Sequence, residues 1–361
     1  MRILNFYILR AFWKPFVMSL IFFTGLIIIT HLFRRTGLLI ENHLPPLIII
    51  EYFLYQVPFT LILVTPVAVL LACLFSLGTL AHHNEIIAMK SSGINLYRLI
   101  LPILLSALVI SFLSIGWNEF VVPEANKRWL KIKSQRIYRQ NISYKIENLS
   151  FQSDKGWFVI IKLLDKEKGL LEGIEIKDRY PDGSPSLRID AKRAYWINDV
   201  WQFEEGICRK FNQQGLIVKE EQFKKKEIHM WSPQQIWMIS QTQNQDSNEM
   251  SIKDLTTYIK LLQASGSKFN DKLVDLHLKI SFPFANLIIA LIGTSLALQR
   301  AKGGKAASFG VSILISFLYW EAIGIGRALG MAEKLPPAFS AWIANIIFGI
   351  IGIYLAFKAK K

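Results

Sequence analysis

Cysteine is nearly absent: 361 residues contain only Cys73 and Cys208. Cys73 lies in the middle of an apolar run and Cys208 in the polar middle of the chain. The pair therefore offers neither a disulfide framework nor a thiolate metal site. Motifs of hydrolytic and metal chemistry are missing too. There is no His-Glu-x-x-His, no Gly-x-Ser-x-Gly and no spaced Cys/His quartet. The segment Lys302-Gly-Gly-Lys-Ala-Ala-Ser resembles a phosphate loop, but the pattern G-x-x-x-x-G-K-S/T fails. Gln299 stands where the first glycine is needed and Ala306 where the hydroxyl is needed. These absences argue against an enzyme, and against a metal or nucleotide bound by this chain.

Charge is missing from two long stretches. Tyr52 to Ala81 and Leu99 to Trp117 carry none, and runs of about 20 apolar residues are long enough to cross a bilayer as helices. Overall, 52% of residues are hydrophobic and mean hydropathy is +0.31, while the net charge is +15. Much of the positive charge flanks apolar spans, which fits membrane orientation better than nucleic acid, and no nucleic-acid partner is expected.

What is present reads as six spans. The first is Pro15 to Phe33, preceded by the basic, acid-free segment Met1–Lys14. No small-x-small cleavage site follows it, so a retained helix is expected rather than a signal peptide. A loop over Arg34–Leu47 leads to the second span, Ile48–Leu80, in which Pro58 and Pro66 suggest kinks rather than breaks. The third is Leu99–Trp117. Ile280–Leu298, a run beginning at Ala306–Trp320, and Ala338–Phe357 supply the other three. Between the groups, periodicity shifts towards two. Strand-like runs occur at Trp157–Lys162, around Ile174 and Ile176, and at Leu187, Ile189 and Ala191. A turn is expected at Tyr180–Ser184 and a hairpin around Asn198-Asp199. Ser251 reads as the cap of an amphipathic helix that Gly266 ends. The expected organisation is an α-helical membrane protein with an inserted β domain. Residues 1–123 hold helices 1–3 with a short helix near 82–93, 124–271 form the β domain, and 272–361 hold helices 4–6.

The N-terminus, the Ala81–Arg98 stretch, the link with Arg300, Lys302 and Lys305, and the tail with Lys358 all fall on one side of this topology. The positive-inside rule puts that side in the cytoplasm and the β domain opposite. Glu85 is the only acid among those segments. It sits at the start of a short helical stretch that Ser91-Ser92-Gly93 stops. A solvated acid favouring the helix dipole is one reading of it. An anionic contact to a basic pocket on a partner, with Ile86 and Met89 as apolar anchors, is the other. On the far side, His31, Arg34 and Arg35 follow the first span, and Lys127, Arg128, Lys131 and Lys133 follow the third. They either anchor to headgroups of membrane lipid or grip the phosphates of a ligand. Glu321, beside Trp320 in the fifth span, is either turned to a cavity or placed in the interface.

Four motifs carry a resemblance: Asn84-Glu-Ile-Ile-Ala-Met-Lys-Ser-Ser-Gly, Asn118-Glu-Phe-Val-Val-Pro, Leu278-Lys-Ile-Ser-Phe-Pro-Phe and Leu335-Pro-Pro-Ala. With three spans, a β insert and three spans, the chain resembles the LptF/LptG (YjgP/YjgQ) family of lipopolysaccharide export permeases over nearly its whole length. The last motif looks closer to the LptG branch. The resemblance implies a permease subunit of an ABC transporter in the inner membrane, paired with a paralogous permease. It implies a cytoplasmic ATPase dimer of LptB type holding ATP and magnesium, and bridge proteins of LptC and LptA type reached through a periplasmic jelly roll. It implies an ATPase-coupling helix over Asn84, Glu85, Ile86, Met89 and Gly93. Lipopolysaccharide contacts are implied at the basic outer end of the first helix (His31, Arg34, Arg35), with Lys131, Lys133 and Glu321 as further candidates. A multispan scaffold that only anchors a periplasmic lipid- or protein-binding domain is the alternative, and it has no need of Glu85.

Overall fold

The computed structural model describes residues 2–41, 45–133, 145–153, 156–165, 168–180, 183–236, 247, 250–264, 268–299 and 305–358. The chain divides into two compact units, 1–133 with 273–361, and 134–272.

The first unit is helical. It contains α1 (Arg2–Glu41), α2 (Pro46–Leu54), α3 (Val57–His82), α4 (Glu85–Ser91), α5 (Leu96–Phe120) and α6 (Val122–Ile132). The β insert contributes one helix, α7 (Ile252–Ala264). Then follow α8 (Asn270–Ser281), a 3-10 turn at Phe282–Phe284, α9 (Ala285–Gln299), α10 (Lys305–Met331) and α11 (Pro337–Lys358). Six helical stretches are long and apolar enough to span a membrane, α8 and α9 counting as one.

Two sequence expectations are corrected here. The stretch 34–41 is not loop, because α1 continues to Glu41; it holds no proline, and Gly37 alone does not end a helix. Pro58 marks a break rather than a kink. Proline cannot donate to the carbonyl four residues back and its ring crowds that carbonyl, so the preceding helix stops at Leu54 and Pro58 sits in the first turn of α3. Pro66 does lie inside α3, as expected. Pro123 has the same boundary role, separating α5 from the amphipathic α6.

The helix α3 runs through the centre. Its span is 72% buried, against 17% for α1 and 22% for α10. Phe12 and Phe16 of α1, Leu70 and Leu77 of α3, Ile103 of α5, and Ile289 of α9 share one core. Small residues allow close approach of helices in lipid, where hydrophobic driving force is lacking. A Cβ on Gly293 of α9 would lie 2.8 Å from Leu70 Cδ1, so glycine sets the α3–α9 spacing. Polar ties add to this. The Asn345 amide donates to the Ser281 carbonyl at 2.7 Å, the Tyr319 hydroxyl donates to Asn345 Oδ1, and the Ser281 hydroxyl donates to the Ala341 carbonyl at 2.8 Å. The Arg327 guanidinium of α10 forks onto Asp275 of α8, at 2.7 and 3.1 Å.

The second unit is an antiparallel sheet in consecutive order: β1 (Lys145–Gln152), β2 (Phe158–Asp165), β3 (Leu170–Arg179), β4 (Pro185–Ile197), β5 (Val200–Phe211) and β6 (Ile217–Ile228). The β4–β5 hairpin turns on Asn198 and Asp199, both left-handed (φ 49° and 60°), with Ile197 opposite Val200. Two left-handed residues are what a type I′ turn requires, and Asn and Asp tolerate them. Alternate residues such as Val159, Ile161, Ile174, Ile176 and Phe203 are buried in a common core. The segment after β6 closes that core: Trp231 stacks on Phe151 of β1 (centroids 5.5 Å apart), and its carbonyl accepts from Trp201 of β5 at 2.8 Å. The expected cap is present, with the Asp254 amide donating to the Ser251 hydroxyl oxygen at 2.9 Å. Gly266 lies outside the described residues. A six-helix membrane unit with an inserted β domain is thus the architecture.

Candidate functional site

The connection from α3 to α5 is made rigid by its own backbone. Asn84 adopts a left-handed conformation (φ 59°), which asparagine tolerates better than most residues, and its carbonyl accepts the Ala88 amide at 3.0 Å. Seven residues of α4 follow. They end in a Schellman closure, with the Gly93 amide on the Lys90 carbonyl at 3.0 Å and the Ile94 amide on the Met89 carbonyl at 3.1 Å. Gly93 sits at φ +80°, a conformation that a side chain would strain.

Glu85 is the first residue of α4 and its side chain is 33% exposed. The Tyr7 hydroxyl of α1 donates to Oε2 at 2.7 Å, and His83 Nδ1 lies 3.8 Å from Oε1. Ile86 is buried at 8% exposure in the helical core, with Met89 packed against it. The anchoring side chains read from the sequence thus face this chain's own bundle. Ile87, 61% exposed, is the apolar side chain that α4 turns outward. A helix of two turns gives too few positions for periodicity to choose between Ile86 and Ile87.

The residues proposed for the opposite end lie on three helices. His31 and Arg34 are exposed on α1, and Arg35 lies in the same helix. Lys131 is exposed near the end of α6. Lys133 at the C-cap places its ammonium over the Trp129 ring, 4.6 Å from the centroid. The neighbouring Arg128 guanidinium lies 5.9 Å from the Tyr55 ring centroid and 3.5 Å from Glu124. A hydrogen bond with the Tyr55 side chain, and then Glu124, hold its pKa above the ordinary arginine value. Glu321 is exposed on α10, whose apolar side chains Leu314, Phe317 and Ile325 are exposed as well. Among the described residues of the helical unit the buried carboxylate is Asp275, 1% exposed, and the sequence reading missed it. Its signal was present as Asp275 and Lys279, one turn apart at the head of the fourth span, where two opposite charges can share one helix face. Lys279 is also buried, at 4% exposure. Among the described residues no group of His, Cys, Asp or Glu is arranged to hold a metal ion.

The sequence pattern of the family described as lipopolysaccharide export system permease LptF/LptG matches residues 6–358. The chain belongs to the LptF/LptG family. It is 22% identical over 330 residues to the lipopolysaccharide export system permease protein LptG of Escherichia coli K12, covering 85% of this chain and 84% of that protein. The LptG of Haemophilus influenzae is 21% identical over 302 residues, covering 82% and 81%. An uncharacterised Rickettsia prowazekii protein is 22% identical over 318 residues, covering 85% and 86%. The relatives that carry a name are LptG proteins, so the likeness leans to that branch. With its six candidate spans, it is a multi-pass membrane protein and a transport subunit of the lipopolysaccharide export class rather than an enzyme.

Proposed function

We propose that this chain is one half of a permease pair in the inner membrane, driven through α4 by a separate cytoplasmic ATPase dimer of LptB type that holds ATP and magnesium. The observation that carries this reading is the presentation of Glu85. A capped two-turn helix lies at the basic end of the bundle, with a partly exposed carboxylate on a tyrosine hydroxyl and Ile87 turned outward. Such a surface suits a basic, partly apolar groove, because a carboxylate that accepts from Tyr7 still has lone pairs for an arginine fork.

The exposed flank formed by α1 and α10, where Phe23 and Phe309 stack, is the surface on which the paralogous permease would sit. Lipopolysaccharide would enter the space between the two. His31, Arg34, Arg35, Lys131 and Lys133 would then face its phosphates from the periplasmic side, and Glu321 would lie beside the acyl path. The β unit would pass the lipid towards bridge proteins of LptC and LptA type.

The test is purification of the tagged chain from its native membrane, with protein and lipid identified by mass spectrometry. A second permease, an ATPase and lipopolysaccharide are expected together. Recovery without an ATPase or lipopolysaccharide would instead favour a scaffold.

A further inference from the structure

On α1, Tyr7, Arg10, Lys14 and Met18 recur at three- and four-residue spacing and so share one face. That face borders a cavity of about 600 Å³, whose other wall comes from the end of α3 (Phe75, Ser76, Thr79) and from His83 and Glu85. The volume lies in the range of small-molecule and headgroup sites, about 300–1,000 Å³. The lining is graded. Arg10 and Lys14 stand exposed at the basic end of the bundle, while Met18 and Phe75 line the cavity further into the span. From Arg10 to Met18 is eight residues of helix, about 12 Å, which separates a headgroup level from a hydrocarbon level.

The charge at this cavity is unbalanced. Among the described residues Glu85 is the only acid lining it, and its carboxylate oxygens already face the Tyr7 hydroxyl and the His83 ring. Neither Arg10 nor Lys14 has an ion-pair partner among the described residues. Two unpaired cations one turn apart, above an apolar slot, match a phosphate with an acyl chain beneath it.

We propose that this cavity binds an anionic phospholipid, with Arg10 and Lys14 on the headgroup phosphate and Met18 and Phe75 against the start of an acyl chain. The site is distinct from the outer cluster assigned to the exported lipid. It rests on the spanning architecture and not on the exported substrate, so either reading can fail alone.

The test uses the full chain in nanodiscs of phosphatidylcholine with a minor fraction of phosphatidylglycerol, with co-purifying lipid counted by native mass spectrometry. Phosphatidylglycerol should be enriched at least about fivefold over its bulk fraction. The double variant Arg10→Gln/Lys14→Gln should lose that enrichment. Lys90→Gln/Arg98→Gln removes equal charge from the same end of the bundle but outside the cavity, and should keep it. Met18→Trp, which fills the apolar end, should reduce it without changing charge. Circular dichroism checks that each variant is folded. Equal loss in both double variants would show general surface attraction and overturn the site, as would the absence of enrichment in the unaltered chain. An undiminished Met18→Trp would overturn the acyl contact. Displacement of the lipid by soluble glycerol 3-phosphate would reassign the cavity to a free phosphate ester.

Discussion

The two ends of the helical unit are built differently. At the α4 end, residues from α1, α3 and α4 converge on one cavity, and the acid at its edge is held by a tyrosine from another helix. Towards the other end, the candidate ligands His31, Arg34, Lys131, Lys133 and Glu321 stand on three helices. A tight polar contact in this unit, Arg327 on Asp275, involves none of them. The lesson is that a contiguous motif can form a rigid device within one chain. Cations on two helices, α1 and α6, with Glu321 on a third, need another surface to complete a site, and a permease pair would supply one.

The contrast predicts where substitution damages the fold and where it damages only function. The largest structural effect is expected at Asp275→Ala. It leaves the Arg327 guanidinium without its carboxylate, at the lower end of about 3–5 kcal/mol because Arg327 is partly exposed. Asp275→Leu with Arg327→Met should recover much of that loss in detergent melting experiments. Failure to destabilise would show that the pair does not hold the far end together.

Within α4, Ile86 and Ile87 should separate cleanly. Ile86→Ala removes a core side chain and should cost about 2 kcal/mol. Ile87→Asp should leave melting unchanged while weakening retention of the ATPase. The opposite assignment would mean that α4 turns over on docking.

At the other end, Arg34→Glu/Arg35→Glu should weaken lipopolysaccharide retention and leave assembly intact. Each surface cation contributes about 1 kcal/mol towards an anionic lipid. A photo-crosslinker at Arg34 that never captures lipid during ATP-driven export would count against that role.

The smallest effect lies in the β unit. The Lys192 ammonium, through a hydrogen bond and its charge, holds the Glu205 pKa below the ordinary carboxylate range. A depressed carboxylate pKa contributes stability above the unfolded-state value and loses it as pH falls through the folded one. Lys192→Ala should therefore return the Glu205 titration, followed by NMR, towards the ordinary range. Stability near neutral pH should hardly change, because the pair is exposed.

Much of this was legible because it is local. The six spans follow from run length. The Asn198-Asp199 hairpin, the Ser251 cap and the Gly93 stop follow from the conformations those residues favour. What remained hidden depends on contacts between distant segments. Tyr7 and Glu85 are 78 residues apart, and Asp275 and Arg327 are 52 apart. Apolar spans also give little amphipathic contrast, so neither the central position of α3 nor the exposed flank of α1 and α10 could be read from periodicity.

The central claim is that Glu85 transmits force between α4 and a separate ATPase. Its most direct test is copurification of the ATPase with Glu85→Lys and with Lys90→Glu, followed by ATP-dependent lipid release from proteoliposomes. Losing one partner of a buried, hydrogen-bonded charge pair costs about 2–5 kcal/mol. Glu85→Lys should therefore uncouple or dissociate the ATPase, while Lys90→Glu, exposed at the far end of α4, should retain most activity. Normal assembly and transport by Glu85→Lys would contradict the claim and reduce α4 to a solvated link.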